Sequence, residues 1–322
     1  SVEAMSADIV IPTPSGRVRG RWEQVGSPTS LAHGRPPATV AAFRGIPYAE
    51  APIGERRFAA PVPRAPWDGI LDATANGATP QRVGDPRALI PEPSVAGDDT
   101  LNLTVLTPDP GGDARLPVMV WIHGGGYTMG SPASPWYGNG TFARDGVVTV
   151  LVSYRLGFDG FGLLPGAPTN RAVRDWIAAL EWVRANVSAF GGDPDDVTIA
   201  GQSAGGGAVL TLLGMPDAQH LFRRVLAISA ALTNVPPARA ATATGRLAAR
   251  LGIAPTREAF AGVDELTVLT AQQALESERH GNIIASVRSR LAEGLTWGPV
   301  VDGELIPRPT LDALAAGVGA DK

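Results

Sequence analysis

The chain has 322 residues, of which 44% are hydrophobic and 18% are charged, and its formal net charge is −4. This length allows one large domain with a sizeable core. Nothing in the charge suggests a nucleic-acid partner, which would need a basic stripe, and we expect none. Cysteine is absent, which excludes disulfides, thiolate nucleophiles and metal sites built on cysteine.

The sequence shows neither a membrane span nor an export signal. No run approaches the roughly 20 apolar residues of a membrane span, and residues 1–8 lack the basic and apolar regions of a signal peptide. We therefore expect no membrane partner and a cytoplasmic location, with secretion after removal of a signal peptide as the alternative. Arginine outnumbers lysine, and alanine, glycine and proline are abundant, which indicates a GC-rich bacterial gene.

Strand and turn signals dominate the first hundred residues. Residues 9–22 predict a hairpin with Ser15-Gly16 as its turn. Residues 49–97 are rich in proline and glycine and show little periodicity, and so long an irregular stretch in a compact protein is often functional. We expect it to wrap the surface and to form part of a pocket wall. Residues 101–106 alternate in polarity and predict a strand.

The middle of the chain alternates between apolar runs and helical patterns. Runs at 118–122, 147–152 and 225–228 predict buried strands of a parallel sheet that is covered on both faces. Apolar residues in 171–187 recur at helical spacing. Strands that alternate with helices indicate a doubly wound α/β sheet.

A helical, alanine-rich segment follows the last of these strands. Short helices are predicted at 246–251, 257–260 and 271–278. A helical insertion at about 232–293 would form a cap over the edge of the sheet where ligands bind in this architecture. No linker is visible, so residues 1–322 are predicted to form a single domain.

The sequence Gly-Gln-Ser-Ala-Gly at 201–205 has the pattern of a nucleophile elbow. A β-branched run precedes it and a small, apolar, helix-like run follows it. Such a sharp turn would leave no room for side chains at Gly201 and Gly205, and the start of the helix would bring backbone N–H groups to Ser203. Taken alone the motif is weak, because glycine and serine are common here.

A second motif, His123 followed by three glycines, comes after the apolar run 117–122. In lipases and esterases such a segment supplies N–H groups to an oxyanion hole, and glycine lets bare backbone approach a substrate. A flexible turn is the ordinary alternative. Because both motifs follow strands, in this order, we predict serine-dependent acyl transfer.

Ten segments together resemble the type B carboxylesterases, the para-nitrobenzyl esterase and cholinesterase-like branch of the α/β-hydrolases. The matching segments are 45–54, 57–58, 66–69, 101–103, 123–126, 153–157, 178–183, 190–194, 201–206 and 299–303. The resemblance implies an α/β-hydrolase fold, with a mainly parallel central sheet, helices on both faces and a helical cap. It also implies hydrolysis of carboxylic esters without a metal or cofactor.

The resemblance assigns roles to individual residues. Ser203 matches the nucleophile that forms an acyl-enzyme, and Gly125, Gly126 and Ala204 match the positions whose N–H groups form the oxyanion hole. His123 does not match the catalytic base. The chain departs from the family by having Gln202 where glutamate is usual, and residues 229–231 read Ser-Ala-Ala where the family often has Gln-Ser-Gly.

The largest departure concerns the triad acid and histidine, which in the family follow the segment matched by 299–303. This chain ends at Lys322 before either, so we expect the C-terminal part of the fold to be absent and a C-terminal polypeptide to supply both residues. The alternatives are a non-catalytic binding module and a self-contained esterase that uses His280. His220 is expected at the start of a strand region, and His33 in an exposed loop.

Three aromatic residues are candidates for the wall of a substrate gorge, with ordinary packing as an equal alternative for each. They are Trp136, Tyr137 and Phe158.

Overall fold

The computed structural model describes residues 7–26, 38–82, 90–232, 234–278 and 294–322. Within these ranges the strands form one nine-stranded sheet. The strands are β1 Asp8–Thr13, β2 Gly16–Val25, β3 Ala38–Pro47, β4 Ile70–Asp72, β5 Asn102–Thr107, β6 Leu116–Ile122, β7 Val148–Val152, β8 Gly192–Gln202 and β9 Arg224–Ile228. Their order is β1-β2-β3-β5-β7-β6-β8-β9, and β4 pairs with β2.

The helices of the described residues lie between and after these strands. They are α1 Thr141–Arg144, α2 Gly157–Phe161, α3 Arg171–Asn186, α4 Ala204–Leu213, α5 Pro237–Leu251, α6 Arg257–Ala261, α7 Glu265–Glu278 and α8 Thr310–Ala315. Short 3₁₀ helices occupy Gly54–Arg56, Val187–Phe190 and Pro216–Leu221. None of the helices in the described part of the chain combines the length and apolar character needed to span a bilayer.

The predicted N-terminal hairpin is confirmed, with its turn one residue earlier than expected. Thr13 pairs with Gly16, so Pro14 and Ser15 form the two-residue turn and Gly16 begins β2. Gly16 has a φ of 141°, and a Cβ there would lie 2.5 Å from the indole nitrogen of Trp67. The ring of Trp67 therefore requires glycine at the end of this turn.

The sheet is antiparallel in its N-terminal half and parallel where it carries the site. Strands β7, β6, β8 and β9 pair in parallel, whereas β5 pairs antiparallel with β3 and β7. At the carboxyl end of β6, Ile122 pairs with Val152 of β7 and with Gly201 of β8. The segments that follow β6 and β8 therefore leave the sheet side by side, at the edge where α/β proteins bind ligands.

The two faces of the sheet carry cores of unequal size. Successive strand residues point to opposite faces, so Val118, Val120 and Ile122 of β6 join the large core. The opposite face holds a small cluster that includes Ala143 of α1 and Leu106 of β5. Both predicted helical regions that flank the elbow strand are confirmed, as α3 and α4.

Strand β9 is correctly predicted in position but not in burial. Val225 and Ala227 pack against the large core, whereas Leu226 and Ile228 are 48% and 41% exposed. The apolar run predicted a strand covered on both faces, whereas in the part of the chain that the structure describes β9 is the last strand of the sheet and one of its faces is open. A run of apolar residues shows that a strand can be buried, but whether a second layer reaches it depends on other segments.

The predicted helical segment contains α5, α6 and α7, and its remaining residues 279–293 lie outside the described residues. Gln272 of α7 is buried and accepts a hydrogen bond of 2.9 Å from the backbone N–H of Phe158. The irregular segment lies next to α7, and its residues Ile53 and Arg57 line, together with residues of α7, a cavity of about 80 Å³. The assignment of a single domain with a cap stays a prediction.

Candidate active site

Ser203 lies on the turn between β8 and α4 with a φ of 58° and a ψ of −117°. A residue other than glycine is strained when it adopts a positive φ, and such residues cluster at functional sites. Two backbone hydrogen bonds hold the turn: the Ser203 N–H donates to Ile228 at 2.9 Å, and its carbonyl accepts from Ala231 at 3.0 Å. The serine is only partly buried, so its side chain sits on a fixed, accessible turn.

The glycines around Ser203 are required by close backbone contacts. A Cβ on Gly205 would overlap the carbonyl oxygen of Ile122, and a Cβ on Gly201 would overlap the carbonyl of Gly205. Gly207 is equally tight, since a Cβ there would overlap the carbonyl oxygen of Ala231. The predicted need for glycine on both sides of the serine is thus confirmed.

The glycine segment after His123 begins beside the serine, at Gly124. A Cβ on Gly124 would lie 3.4 Å from the Cβ of Ser203 and 2.7 Å from the carbonyl oxygen of Gln202. Gly125 and Gly126 have φ values of 113° and 62°, which glycine adopts without strain. Around Gly126 a Cβ would meet no atom within 4 Å, so the loop faces open space there.

Backbone donors are free at this place. Among the described residues, the N–H groups of Gly125, Gly126 and Ala204 donate to no acceptor. The carbonyl of Gly125 accepts from Met129 at 2.9 Å within its own loop, and Ala204 is the first residue of α4, whose N–H has no partner inside the helix. Ala204 thus directly follows Ser203, and Gly125 and Gly126 directly follow Gly124, the glycine that packs against Ser203.

His123 supports the glycine segment from within the core. Its ring stacks on Tyr154 with centroids 4.5 Å apart, and Nδ1 lies 2.8 Å from the carbonyl oxygen of Gly124. Burial, aided by the charge of Arg82, lowers the pKa of His123 to about 4. The ring is therefore neutral at physiological pH, and no hydrogen bond joins it to Ser203.

Of the other histidines named from the sequence, His220 lies in the described part of the chain, and it does not reach Ser203. His220 lies in the 3₁₀ helix Pro216–Leu221, which leads into β9. It is exposed, and its carbonyl accepts from Arg184 at 2.9 Å. His220 is therefore near the amino end of β9, whereas Ser203 lies at the carboxyl end of the parallel strand β8. His33 and His280 lie outside the described residues.

Asp302 is an acidic side chain near the end of the chain that is already committed to its own loop. It accepts hydrogen bonds from Asn170 at 2.9 Å and from the backbone of Ile306 at 2.9 Å. Burial raises its pKa, but these bonds and those from Thr169 and Glu304 outweigh burial and lower it overall. Asp302 thus anchors the chain to the start of α3.

The candidate gorge residues have three different environments. Trp136 is 52% exposed, and Tyr137 packs on Trp121 at 5.3 Å. Phe158 is buried against Phe260 of α6 at 4.3 Å. A cavity of about 320 Å³ lies instead between α5 and α7, with Trp297 in its wall.

Tyr127, directly after the three glycines, was not singled out from the sequence although it connects the site to its surroundings. It is buried with a φ of 65°, and its carbonyl accepts from Gly157 at 2.8 Å. A Cβ on Gly298 would lie 3.3 Å from its ring. Its position after a glycine run was the only available signal.

In the described ranges, no group of three or more metal-binding side chains is arranged to hold a metal ion.

Comparisons with known proteins agree with this geometry. The model of the family described as Carboxylesterase family matches residues 7–321. The chain is 34% identical to the para-nitrobenzyl esterase of Bacillus subtilis over 327 residues, which cover 97% of this chain and 60% of that protein. The chain therefore spans about 60% of the length of this relative.

Solved structures give the same picture. A carboxylesterase of Geobacillus stearothermophilus at pH 6.8 superposes with a TM-score of 0.76 and 35% identity, over 97% of this chain and 60% of that one. Juvenile hormone esterase from Manduca sexta, solved with covalently attached OTFP, superposes with a TM-score of 0.82 and 29% identity, over 97% of this chain and 58% of that one.

Proposed function

The chain belongs to the carboxylesterase family, and we propose that it carries the nucleophile and oxyanion hole of a serine carboxylesterase. The observation that carries this proposal is the backbone of Ser203, held at a φ of 58° on a strand-to-helix turn directly beside Gly124. A serine in ordinary packing needs neither the strained turn nor the glycines that surround it. This constraint also argues against the non-catalytic binding module.

In the proposed reaction, Oγ of Ser203 loses its proton to a base and attacks the ester carbonyl. The carbonyl oxygen becomes an oxyanion, which the N–H groups of Gly125, Gly126 and Ala204 stabilise by hydrogen bonds. Collapse of this intermediate breaks the bond to the alcohol, which leaves with the proton from the base. Water then attacks the acyl-enzyme by the same route, releasing the acid and restoring the serine.

The base is proposed to be a histidine oriented by a glutamate, both supplied by a polypeptide segment that follows Lys322. The chain spans about 60% of the length of the Bacillus subtilis relative, which leaves room for such a segment. Neither His123 nor His220 suits the role, for the reasons of geometry given above. Among the described residues, β9 is the last strand of the sheet and its outer face is open, and this place next to the turn that holds Ser203 offers that segment a surface on which to pack.

The test compares residues 1–322 with the same chain extended by its C-terminal remainder. Both are treated with a fluorophosphonate probe and with p-nitrophenyl acetate. We expect the extended protein to be labelled at Ser203 and to hydrolyse the ester, and the Ser203→Ala variant to do neither. Ser188→Ala, at an exposed serine of a 3₁₀ helix, is the matched control and should retain both activities.

Two results would contradict parts of the proposal. Hydrolysis by Ser203→Ala at the wild-type rate would show that Ser203 is not the nucleophile. Full activity of residues 1–322 without the extension, lost on His280→Ala, would favour the self-contained esterase. The cytoplasmic location stays a prediction of the sequence, and fractionation of the source cells tests it.

A further inference from the structure

The segment that carries the N–H groups of Gly125 and Gly126 is hydrogen-bonded to a side chain of the irregular region. We call residues 124–130 the glycine loop. The backbone N–H of Gly130 donates a hydrogen bond of 2.9 Å to the carboxylate of Glu92. Gly130 has a φ of 101°, and a Cβ there would overlap the carbonyl oxygen of Gly124. Glu92 therefore binds the loop at the point where its end closes on its beginning.

The carboxylate of Glu92 is sheltered and has a cationic neighbour. Its side chain is 12% exposed, and Nε of the fully buried Arg82 lies 3.7 Å from it. This ion pair is too long for a hydrogen bond, so Arg82 supplies charge and not direction. The other guanidinium nitrogens of Arg82 donate to the carbonyls of Pro80, Glu92 and Pro93. Arg82 thus fixes the backbone from which Glu92 projects.

A second bond joins the same two segments. The hydroxyl of Ser131, directly after the glycine loop, donates to the carbonyl of Pro93 at 2.9 Å. Inside the loop, the N–H groups of Thr128 and Met129 turn inward to the carbonyl of Gly125. The glycines offer no side chains that could hold the loop, so besides the buried Tyr127 its orientation depends on these backbone bonds and on the carboxylate.

We propose that Glu92 is a positioning residue for the oxyanion hole. By holding Gly130, it keeps the N–H groups of Gly125 and Gly126 directed at the place of the developing oxyanion. Arg82 compensates the charge of the partly buried carboxylate, and neither residue touches the substrate. This inference rests on the proposed function of the glycine loop.

The test uses the complete, extended protein with the variants Glu92→Gln and Glu92→Met. Both side chains are close to glutamate in size, but only glutamine keeps an oxygen that accepts from Gly130. Removal of one oxyanion donor lowers kcat by about 10²–10³. In Glu92→Met the donors remain but are misplaced, so we expect a smaller loss of kcat, roughly 10- to 100-fold, with little change in KM. Glu92→Gln should stay within roughly threefold of wild type.

The matched control is Glu23→Ala, because Glu23 also pairs with an arginine, Arg44, at 2.6 Å but lies on β2 away from the site. Its kcat per active site should not change. Active sites are counted by fluorophosphonate titration, so that a smaller folded fraction is not read as a slower reaction. Equal losses of kcat in both Glu92 variants, or an unchanged kcat in Glu92→Met, would overturn the proposal.

Amide hydrogen exchange gives a readout that does not require turnover. In the wild type the Gly130 amide should be protected, and peptides covering 124–131 should exchange at least tenfold faster in Glu92→Met and near the wild-type rate in Glu92→Gln. A fast Gly130 amide in the folded wild type would overturn the proposal even if Glu92→Met fails to fold. Absence of labelling at Ser203 in the wild type would instead refute the proposed function, which separates the two failures.

Discussion

Two neighbouring regions at the end of the sheet are built in opposite ways. Around Ser203, a methyl group added to Gly201 or Gly205 would overlap backbone atoms of the adjacent segment. On the outer face of β9, only one strand away, Leu226 and Ile228 are 48% and 41% exposed. The first region leaves no room for a methyl group at either glycine, and the second has apolar side chains that no described residue covers.

The difference shows which part of the site this chain completes by itself. The turn that presents the nucleophile depends on contacts between β6, β8, β9 and α4, and all four elements are present. Larger exposed apolar patches mark surfaces that bind something, and Ile228 on β9 accepts a backbone hydrogen bond of 2.9 Å from Ser203, so this face lies close to the nucleophile. The proposed C-terminal segment would therefore both cover this face and complete the triad.

The largest effect is expected from Gly205→Ala, which would break the closed region. The new methyl group would overlap the carbonyl oxygen of Ile122, a backbone atom that cannot rotate away. We expect a loss of about 4 kcal/mol or more in the free energy of unfolding, or no folded protein at all. Denaturant unfolding followed by circular dichroism measures it.

Gly245→Ala is the matched control for that variant. Gly245 lies within α5, and a Cβ there would meet no atom within 4 Å. Alanine is the better helix former, so this change should stabilise the protein by about 0.5–1 kcal/mol. Equal stability of the Gly205 and Gly245 variants would show that the turn is not closed as described.

The next largest effect compares two isoleucines on adjacent strands. Ile199 of β8 is fully buried, so Ile199→Ala should cost about 2–5 kcal/mol through lost burial and a cavity. Ile228→Ala should cost less than about 1 kcal/mol in residues 1–322, and more in the extended protein if the proposed segment packs on β9. Unfolding of both variants in both proteins measures this, and an unchanged Ile228 cost on extension would remove β9 as the docking face.

The third effect, of roughly 3 kcal/mol, depends on pH and on His123. Burial lowers its pKa to about 4 in the folded protein, against about 6.5 in an unfolded chain. Below pH 6.5, His123 is protonated in the unfolded chain but stays neutral in the folded protein until about pH 4. The free energy of unfolding therefore falls by roughly 3 kcal/mol between pH 7 and pH 4. Urea unfolding of wild type and His123→Asn across this range should give a steeper decline for wild type, and parallel declines would contradict a neutral, buried His123.

Local patterns were enough to predict much of the fold and the core of the site. The hairpin near Gly16, the helix α3 and the elbow around Ser203 depend on periodicity and on glycines within a few residues of one another, and each is present. The hairpin turn was predicted one residue too late because the decisive contact comes from Trp67, about fifty residues away.

The sequence by itself determined the strands and helices, the turn that presents Ser203 and the glycines that leave room around it, because these follow from short-range pattern and steric size. Only the tertiary structure decided that one face of β9 stays open among the described residues, that His220 and Ser203 lie at opposite ends of the parallel strands and that Glu92 binds Gly130. Each of these depends on which distant segments meet, and the order of strands in the sheet, not the pattern within any one strand, decides that.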